Sequence, residues 1–202
     1  DIKLYLKSLH GLNLSHTTIN RKLSSLKHFF IFLNKKRYVQ HNPVINFSGL
    51  KNTKPLPKSL SITDVNMLLN APDSSKFIGL RDKAMLELMY ATGVRISELI
   101  NLQYTNIDFT RSLIKVMGKG GKERMIPFGD NALYWLTEYV EYRRTNNLSL
   151  KSRDFFVSQQ GKKMTRQAFW HRVKQYLAIS GLSDDVSPHT LRHAFATHLL
   201  NN

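Results

Sequence analysis

No cysteine occurs among the 202 residues. Its absence excludes disulfides, thiolate metal sites and a cysteine nucleophile together, and it fits a reducing interior. Acidic residues are scarce as well: 14 Asp and Glu face 30 Lys and Arg, for a formal net charge of +16. No apolar run approaches the ~20 residues of a bilayer-spanning helix. No basic-then-apolar leader opens the chain either, so nothing argues for secretion, and a cytoplasmic protein with no membrane partner is expected. Internal repeats and low-complexity tracts are missing too. With 42% hydrophobic residues, the chain can still bury a core.

The charge imbalance points to a polyanion, nucleic acid first. A solvated basic surface, or an AT-rich genome that favours lysine, is the competing explanation. The charge is unevenly spread. Residues 1–60 carry eleven basic residues and one acid, Asp1, a balance of +10; the other 142 carry 19 and 13, a balance of +6.

Along the chain, residues 1–10 read as the tail of an amphipathic helix, with Ile2, Leu4, Leu6 and Leu9 apolar. In "NLSHTTINRKLSSLKHFFIFLNKK", Ile19, Leu23, Leu26, Phe29, Phe30 and Leu33 recur at helical spacing. Ser15 or Thr17 is placed to cap that helix. Its other face holds Arg21, Lys22, Ser24, Ser25, Lys27 and His28, groups suited to phosphates and groove edges or, more plainly, to water. "GLKNTKPLPKSLS" then breaks all periodicity with two prolines, a glycine and three lysines, which marks a linker and a domain boundary. Beyond it the pattern is mainly helical. Ser61 or Thr63 caps one helix, and "IGLRDKAMLELMYATG" ends at Gly93 in a left-handed cap. "LIKVMGKGGKERMIPF" reads as two strands around a glycine-lysine turn. "NALYWLTEYVEYRRTN" is helical, "DFFVSQQGKKMTRQ" extended and then turning, and Thr165 and Gly181 bracket another helix before the last one.

Chemistry concentrates in "SPHTLRHAFATHLL". Ser187 suits an N-cap and Pro188 the first helical position. His189 then falls in the first turn, with Arg192 and His193 three and four residues on. A helix start favours anions, an arginine fork matches phosphate oxygens, and a histidine moves protons near neutral pH. A metal site at His189 and His193 is the alternative, but position 190 is threonine and no third ligand is evident. His193 and His198 also suit an apolar core face with Leu191, Phe195 and Leu199. In "ATGVRISEL", Arg95 follows a helix-ending glycine at the start of another helix, where Glu98 orients its guanidinium or forms a plain salt bridge with it. In "GKGGKER", Lys119 stands at a hairpin tip, free to donate a proton to a phosphodiester or merely solvated.

Taken in order, "ATGVRISELINL", "VMGKGGKERMIPFG", "MTRQAFWHRV" and "SPHTLRHAFATHLL" closely resemble the tyrosine recombinase, or phage-integrase, family, and within it the Xer branch of chromosome dimer recombinases. The likeness covers essentially the whole chain. It implies an α+β fold, mainly α with a small antiparallel β-sheet. Residues 1–48 resemble the later helices of a helical core-binding domain, 49–59 a linker, and 60–202 a catalytic domain without its C-terminal end, so both domains read as truncated. Position by position, the family's catalytic arginines fall on Arg95 and Arg192, its hairpin lysine on Lys119 and its histidine on His189. Its second His or Trp and its nucleophilic tyrosine have no counterpart here. Tyr90, Tyr134, Tyr139 and Tyr176 read as core or flank, so the chain by itself is expected not to cleave.

The resemblance implies phosphoryl transfer without metal, ATP or other cofactor. A tyrosine attacks a DNA phosphodiester, forms a 3′-phosphotyrosyl link and releases a 5′-hydroxyl. Arg95 and Arg192 hold the non-bridging oxygens, Lys119 protonates the leaving oxygen and His189 assists. Double-stranded DNA is the expected partner. Thr165, Arg166, Gln167 and Arg172 would face it from one lobe and Arg21, Lys22, Ser25 and Lys27 from the other, the linker letting the lobes close around the duplex. The resemblance also implies a heterotetramer with a paralogous Xer-type recombinase and control by a division-associated DNA translocase. A type IB topoisomerase, a non-catalytic sequence-specific DNA-binding module and a metal-binding regulator are the alternatives.

Overall fold

The computed structural model describes residues 2–50, 60–146, 152–183, 185–186 and 188–201, with the backbone alone for Lys119, Pro188, His189 and residues 199–201. The chain divides into two compact units, Asp1–Pro57 and Lys58–Asn202. Most of the linker, and Ser187 as a helix cap, lie outside the described residues.

The first unit holds α1 (Ile2–Gly11) and α2 (His16–Lys35). Ser15, not Thr17, caps α2: its backbone is extended and its hydroxyl accepts the Thr18 N–H at 3.3 Å. Leu9, Ile19, Leu23 and Val44 form the buried centre. The chain after α2 returns to it through Asn20, whose side-chain amide donates to the Leu50 carbonyl at 2.8 Å and accepts the Leu50 N–H at 2.7 Å. The stripe expected to bury Phe29 does so only at its N-terminal end. Phe29, Ile31 and Phe32 each remain about half exposed, because two helices and one return segment offer too little surface to cover them.

The second unit is built around α4 (Phe77–Thr92). Thirteen of its sixteen residues are buried, so it has no solvated face and packs chiefly against α6 (Asp130–Thr145) and α8 (Pro188–Asn201). Four of the thirteen are charged, and buried charges persist only when paired. Asp82 carries the largest share of that pairing. Its Oδ1 accepts from Arg81 Nε and Nη2 at 2.8 and 2.7 Å, and its Oδ2 from Arg172 Nε at 2.6 Å and the Tyr176 hydroxyl at 2.8 Å. Lys83 bridges Glu87 at 3.0 Å, donates to Asn70 at 2.9 Å and lies over the Trp135 ring.

Local signals set the remaining elements. Ser61 and Asp64 form a reciprocal capping box at α3 (Ile62–Asn70). Thr165 caps α7 (Arg166–Ile179), accepting the Ala168 N–H at 3.1 Å. Between α5 (Ile96–Leu99) and α6 lies an antiparallel sheet of β1 (Ile107–Asp108), β2 (Leu113–Met117) and β3 (Glu123–Pro127) in that order. The β2–β3 hairpin is the pair expected from sequence. β1 is an addition, two residues being too short to leave an alternating pattern. Ile114 and Val116 face the core from alternate positions of β2. The extended stretch after α6 buries Phe155, Phe156 and Val157 completely and makes isolated bridges to Gln103 and within its own turn.

Gly93 ends α4 with φ +59°, as the C-cap demands. Space demands glycine there too, since a Cβ would lie 2.6 Å from the Phe195 ring of α8.

Asp82→Ala removes the acceptor of two arginines and a buried hydroxyl at once. We expect a loss of about 3–5 kcal/mol, the usual cost of breaking a buried ion pair from one side. Denaturant unfolding monitored by circular dichroism measures it.

Candidate functional site

Past Gly93 the chain runs extended, and Arg95 becomes the residue before α5. Glu98, one turn on, accepts the Arg95 backbone N–H at 2.8 Å and Arg95 Nη1 at 3.0 Å. The same carboxylate accepts Arg124 Nη1 at 3.1 Å and Nη2 at 2.9 Å, a two-pronged contact from β3. Glu98 is buried, its side chain 6% exposed, whereas the Arg95 side chain is 50% exposed. Burial alone would push the Glu98 carboxyl up. The bonds from Arg124 and from the Arg95 backbone and side chain outweigh that and hold it below the usual glutamate range.

A third arginine completes the cluster. Arg192 is half-buried on α8, and its Nη1 is buried with no hydrogen-bond partner. Burial depresses its affinity for a proton, and repulsion from Arg95 and Arg124 adds to this against the pull of Glu98. Two guanidiniums thus bond one carboxylate, a third lies within electrostatic reach of it, and that third one holds a buried donor with no acceptor. Such a donor costs about 1–3 kcal/mol unless something accepts from it. A bound oxyanion would supply both the acceptor and the missing negative charge.

Packing of α8 sets where Arg192 sits. Leu191 and Ala194 are buried, and Phe195 covers Gly93. His198 is held at both ring nitrogens, Nε2 against the Leu60 carbonyl at 3.0 Å and Nδ1 against the Tyr90 hydroxyl at 2.9 Å. The Leu60 carbonyl can only accept, so Nε2 donates to it. His198 thus fills the structural role expected of it. His193 does not: it is exposed, because at helical spacing it turns away from the side that buries Leu191 and Ala194.

The other residues singled out from sequence separate into groups. Lys119 lies in the single 3-10 turn Lys119–Gly121 between β2 and β3, and His189 in the first turn of α8; their side chains are outside the description. Thr165, Arg166 and Gln167 are exposed at the start of α7, around a shallow hollow shared with Trp170 and with Ile96, the neighbour of Arg95. The Thr165 hydroxyl is already engaged as a cap. Arg172, expected to face DNA, bonds within the protein to Asp82, to Gln175 at 2.7 Å and to the Tyr176 hydroxyl, with its side chain 32% exposed. In the first unit Arg21 and Ser25 are exposed and Lys22 and Lys27 half-buried, with the Ser25 hydroxyl donating to the Arg21 carbonyl at 3.1 Å. Arg124 was missed from sequence, although its register on β3, opposite the buried Val116, would have aimed it inward. Among the described residues, no group of three or more His, Cys, Asp or Glu could hold a metal ion, and no helix is long and apolar enough to cross a membrane.

Residues 58–202 match the sequence profile of the phage integrase family, and the chain belongs to that family. It is 46% identical over 183 residues to the tyrosine recombinase XerD of Pseudomonas putida, covering 90% of this chain and 61% of that protein. With the tyrosine recombinase XerD of Proteus mirabilis it shares 48% over 188 residues, covering 92% and 60%. The chain thus spans about three fifths of the length of these relatives. Among solved structures it resembles the XerA recombinase (TM-score 0.65, 26% identity, covering 100% of this chain and 68% of that one). The fold also matches the XerH site-specific recombinase bound to palindromic difH substrate in a post-cleavage complex (TM-score 0.79, 23% identity, covering 98% and 60%).

Glu98→Gln should destabilise the protein by about 2 kcal/mol at neutral pH, as charged hydrogen bonds are lost. The folded carboxyl is held low, so its contribution is complete above the unfolded-state pKa and disappears as pH falls through the folded value. The stability gap between wild type and Glu98→Gln should therefore close in acid, which urea titrations across pH check.

Proposed function

We propose that this chain carries the phosphate-binding machinery of a site-specific DNA recombinase that breaks and rejoins strands through a 3′-phosphotyrosyl intermediate, resolving chromosome dimers before cell division. The unpartnered, buried Nη1 of Arg192 beside Arg95 and Arg124 carries the reading. Arg95 and Arg192 hold the non-bridging oxygens of the scissile phosphate and stabilise the charge that builds there. Glu98 orients Arg95. Lys119 protonates the departing 5′-oxygen and His189 assists proton movement at the phosphate.

The nucleophilic tyrosine comes from outside these 202 residues. The tyrosines near the core of the second unit are committed to structure. Burial pushes Tyr139 up to about 12 and raises Tyr104, Tyr176 and Tyr90 as well, and Tyr90 is bonded to His198. Coverage of about three fifths of the XerD relatives supports the same view.

On this reading residues 1–48 belong to a core-binding domain and 60–202 to a catalytic domain. Double-stranded DNA meets Thr165, Arg166 and Gln167, next to the arginine cluster through Ile96, and Arg21, Lys22, Ser25 and Lys27 on the first unit. The net charge of +16 supports this partner. The partner proteins are a paralogous recombinase in a heterotetramer and a division-associated translocase, at the nucleoid.

Arg192→Ala in the full-length protein should cut covalent complex formation by at least about 10²-fold while leaving DNA binding largely intact. A nicked recombination-site duplex, incubated without magnesium, traps the complex. An adduct from the full-length protein but not from these 202 residues is the expected result. No adduct from either, with tight salt-dependent binding from both, would leave a DNA-binding module.

A further inference from the structure

The three arginines of the cluster reach it from different elements, and Arg124 is the one that no resemblance assigned. It sits on β3 opposite Val116 of β2, and the ladder closes beyond this pair with the Gly118 N–H donating to the Lys122 carbonyl at 2.8 Å. From there its guanidinium grips both oxygens of Glu98, the carboxylate that also holds Arg95. To do so it passes directly over Gly118. A Cβ on Gly118 would lie 2.9 Å from Arg124 Nη1, closer than real contacts allow. The backbone of Gly118 gives no other reason for glycine, since its φ of −87° suits any residue. An arginine tip could usually swing aside, but here two bonds to a buried carboxylate fix it.

We infer that Arg124 is a positioning residue that fastens the base of the Lys119 hairpin to Glu98, and that Gly118 lacks a side chain to let it through. Lys119 follows Gly118 directly, so the acid and the phosphate-holding Arg95 share one anchor point. The inference rests on the role proposed above for Lys119. Arg124 touches no reacting atom in this scheme. It acts by fixing where the turn springs from, and a shift of about 1 Å in a reacting group can cost 10²-fold in rate.

The test uses the full-length protein and two nicked duplexes, one with the normal bridging 5′-oxygen and one with sulfur in its place. A thiolate leaves without protonation, so the sulfur substrate does not need Lys119. Gly118→Ala keeps every charged group, and Arg124→Lys keeps the charge while losing the two-pronged grip. Both variants should bind DNA as the wild type does and stay folded at the assay temperature, with a lowered melting point where the Arg124–Glu98 bonds are weakened. Each should cleave the oxygen substrate about 10²-fold more slowly and lose far less on the sulfur substrate, a gap between substrates of the kind that Lys119→Ala itself should give. Wild-type cleavage of the oxygen substrate by both variants, or equal slowing on both substrates, would overturn the positioning role alone. If the wild type cleaved neither duplex, the recombinase reading would fall and this inference with it.

Discussion

Asp82 is the acceptor on which the second unit depends. Helix α4 has no solvated face, and a helix with four charges can occupy such a place only if each finds a partner. Both oxygens of Asp82 are taken, one by its neighbour Arg81 and the other by Arg172 and Tyr176 of α7. The contact fixes α7 against α4, and with it the exposed Thr165, Arg166 and Gln167 at the start of α7. At its other end α4 delivers the chain to Gly93 and Arg95, and along its side it receives α8 with Arg192. Two arginines 97 positions apart are thus brought together by one buried helix.

Glu98 repeats the arrangement with a different outcome. Around Asp82 two arginines and a tyrosine meet one carboxylate, and Arg172 shares its donors among Asp82, Gln175 and Tyr176. Around Glu98 two arginines bond one carboxylate, and Arg192, within electrostatic reach of all three, keeps a buried donor with nothing to bond. Folding engages the donors around Asp82 and leaves one donor of Arg192 unbonded beside the Glu98 cluster. The contrast separates an arginine whose donors are engaged within the fold from one that keeps a buried donor unbonded.

That contrast was not legible in the sequence, and the reason is distance along the chain. Signals confined to a few residues could be read directly: the caps at Ser15, Ser61 and Thr165, the left-handed Gly93, and the hairpin around the glycine-lysine turn. The bond of Arg172 to Asp82 went unread because the two lie 90 residues apart. Arg124 went unnoticed because its partner Glu98 lies 26 residues away. Phe29 carried the helical period of a core residue, but the period says nothing about how much protein there is to cover it. Arg95, Lys119, His189 and Arg192 were chosen by resemblance to a family pattern, not by periodicity; of these, the described side chains, Arg95 and Arg192, converge on the Glu98 cluster.

The depth at which Arg192 lies separates two kinds of electrostatics by their response to ionic strength. Exposed basic groups such as Arg21 and Arg166 act through solvent, where the screening length is about 8 Å at physiological salt. Their attraction for a polyanion fades steeply as salt rises. The repulsion between Arg192 and its two neighbours is partly enclosed by protein and is screened much less. On the proposed reading, salt loosens the hold on DNA long before it relaxes the charge imbalance around Arg192.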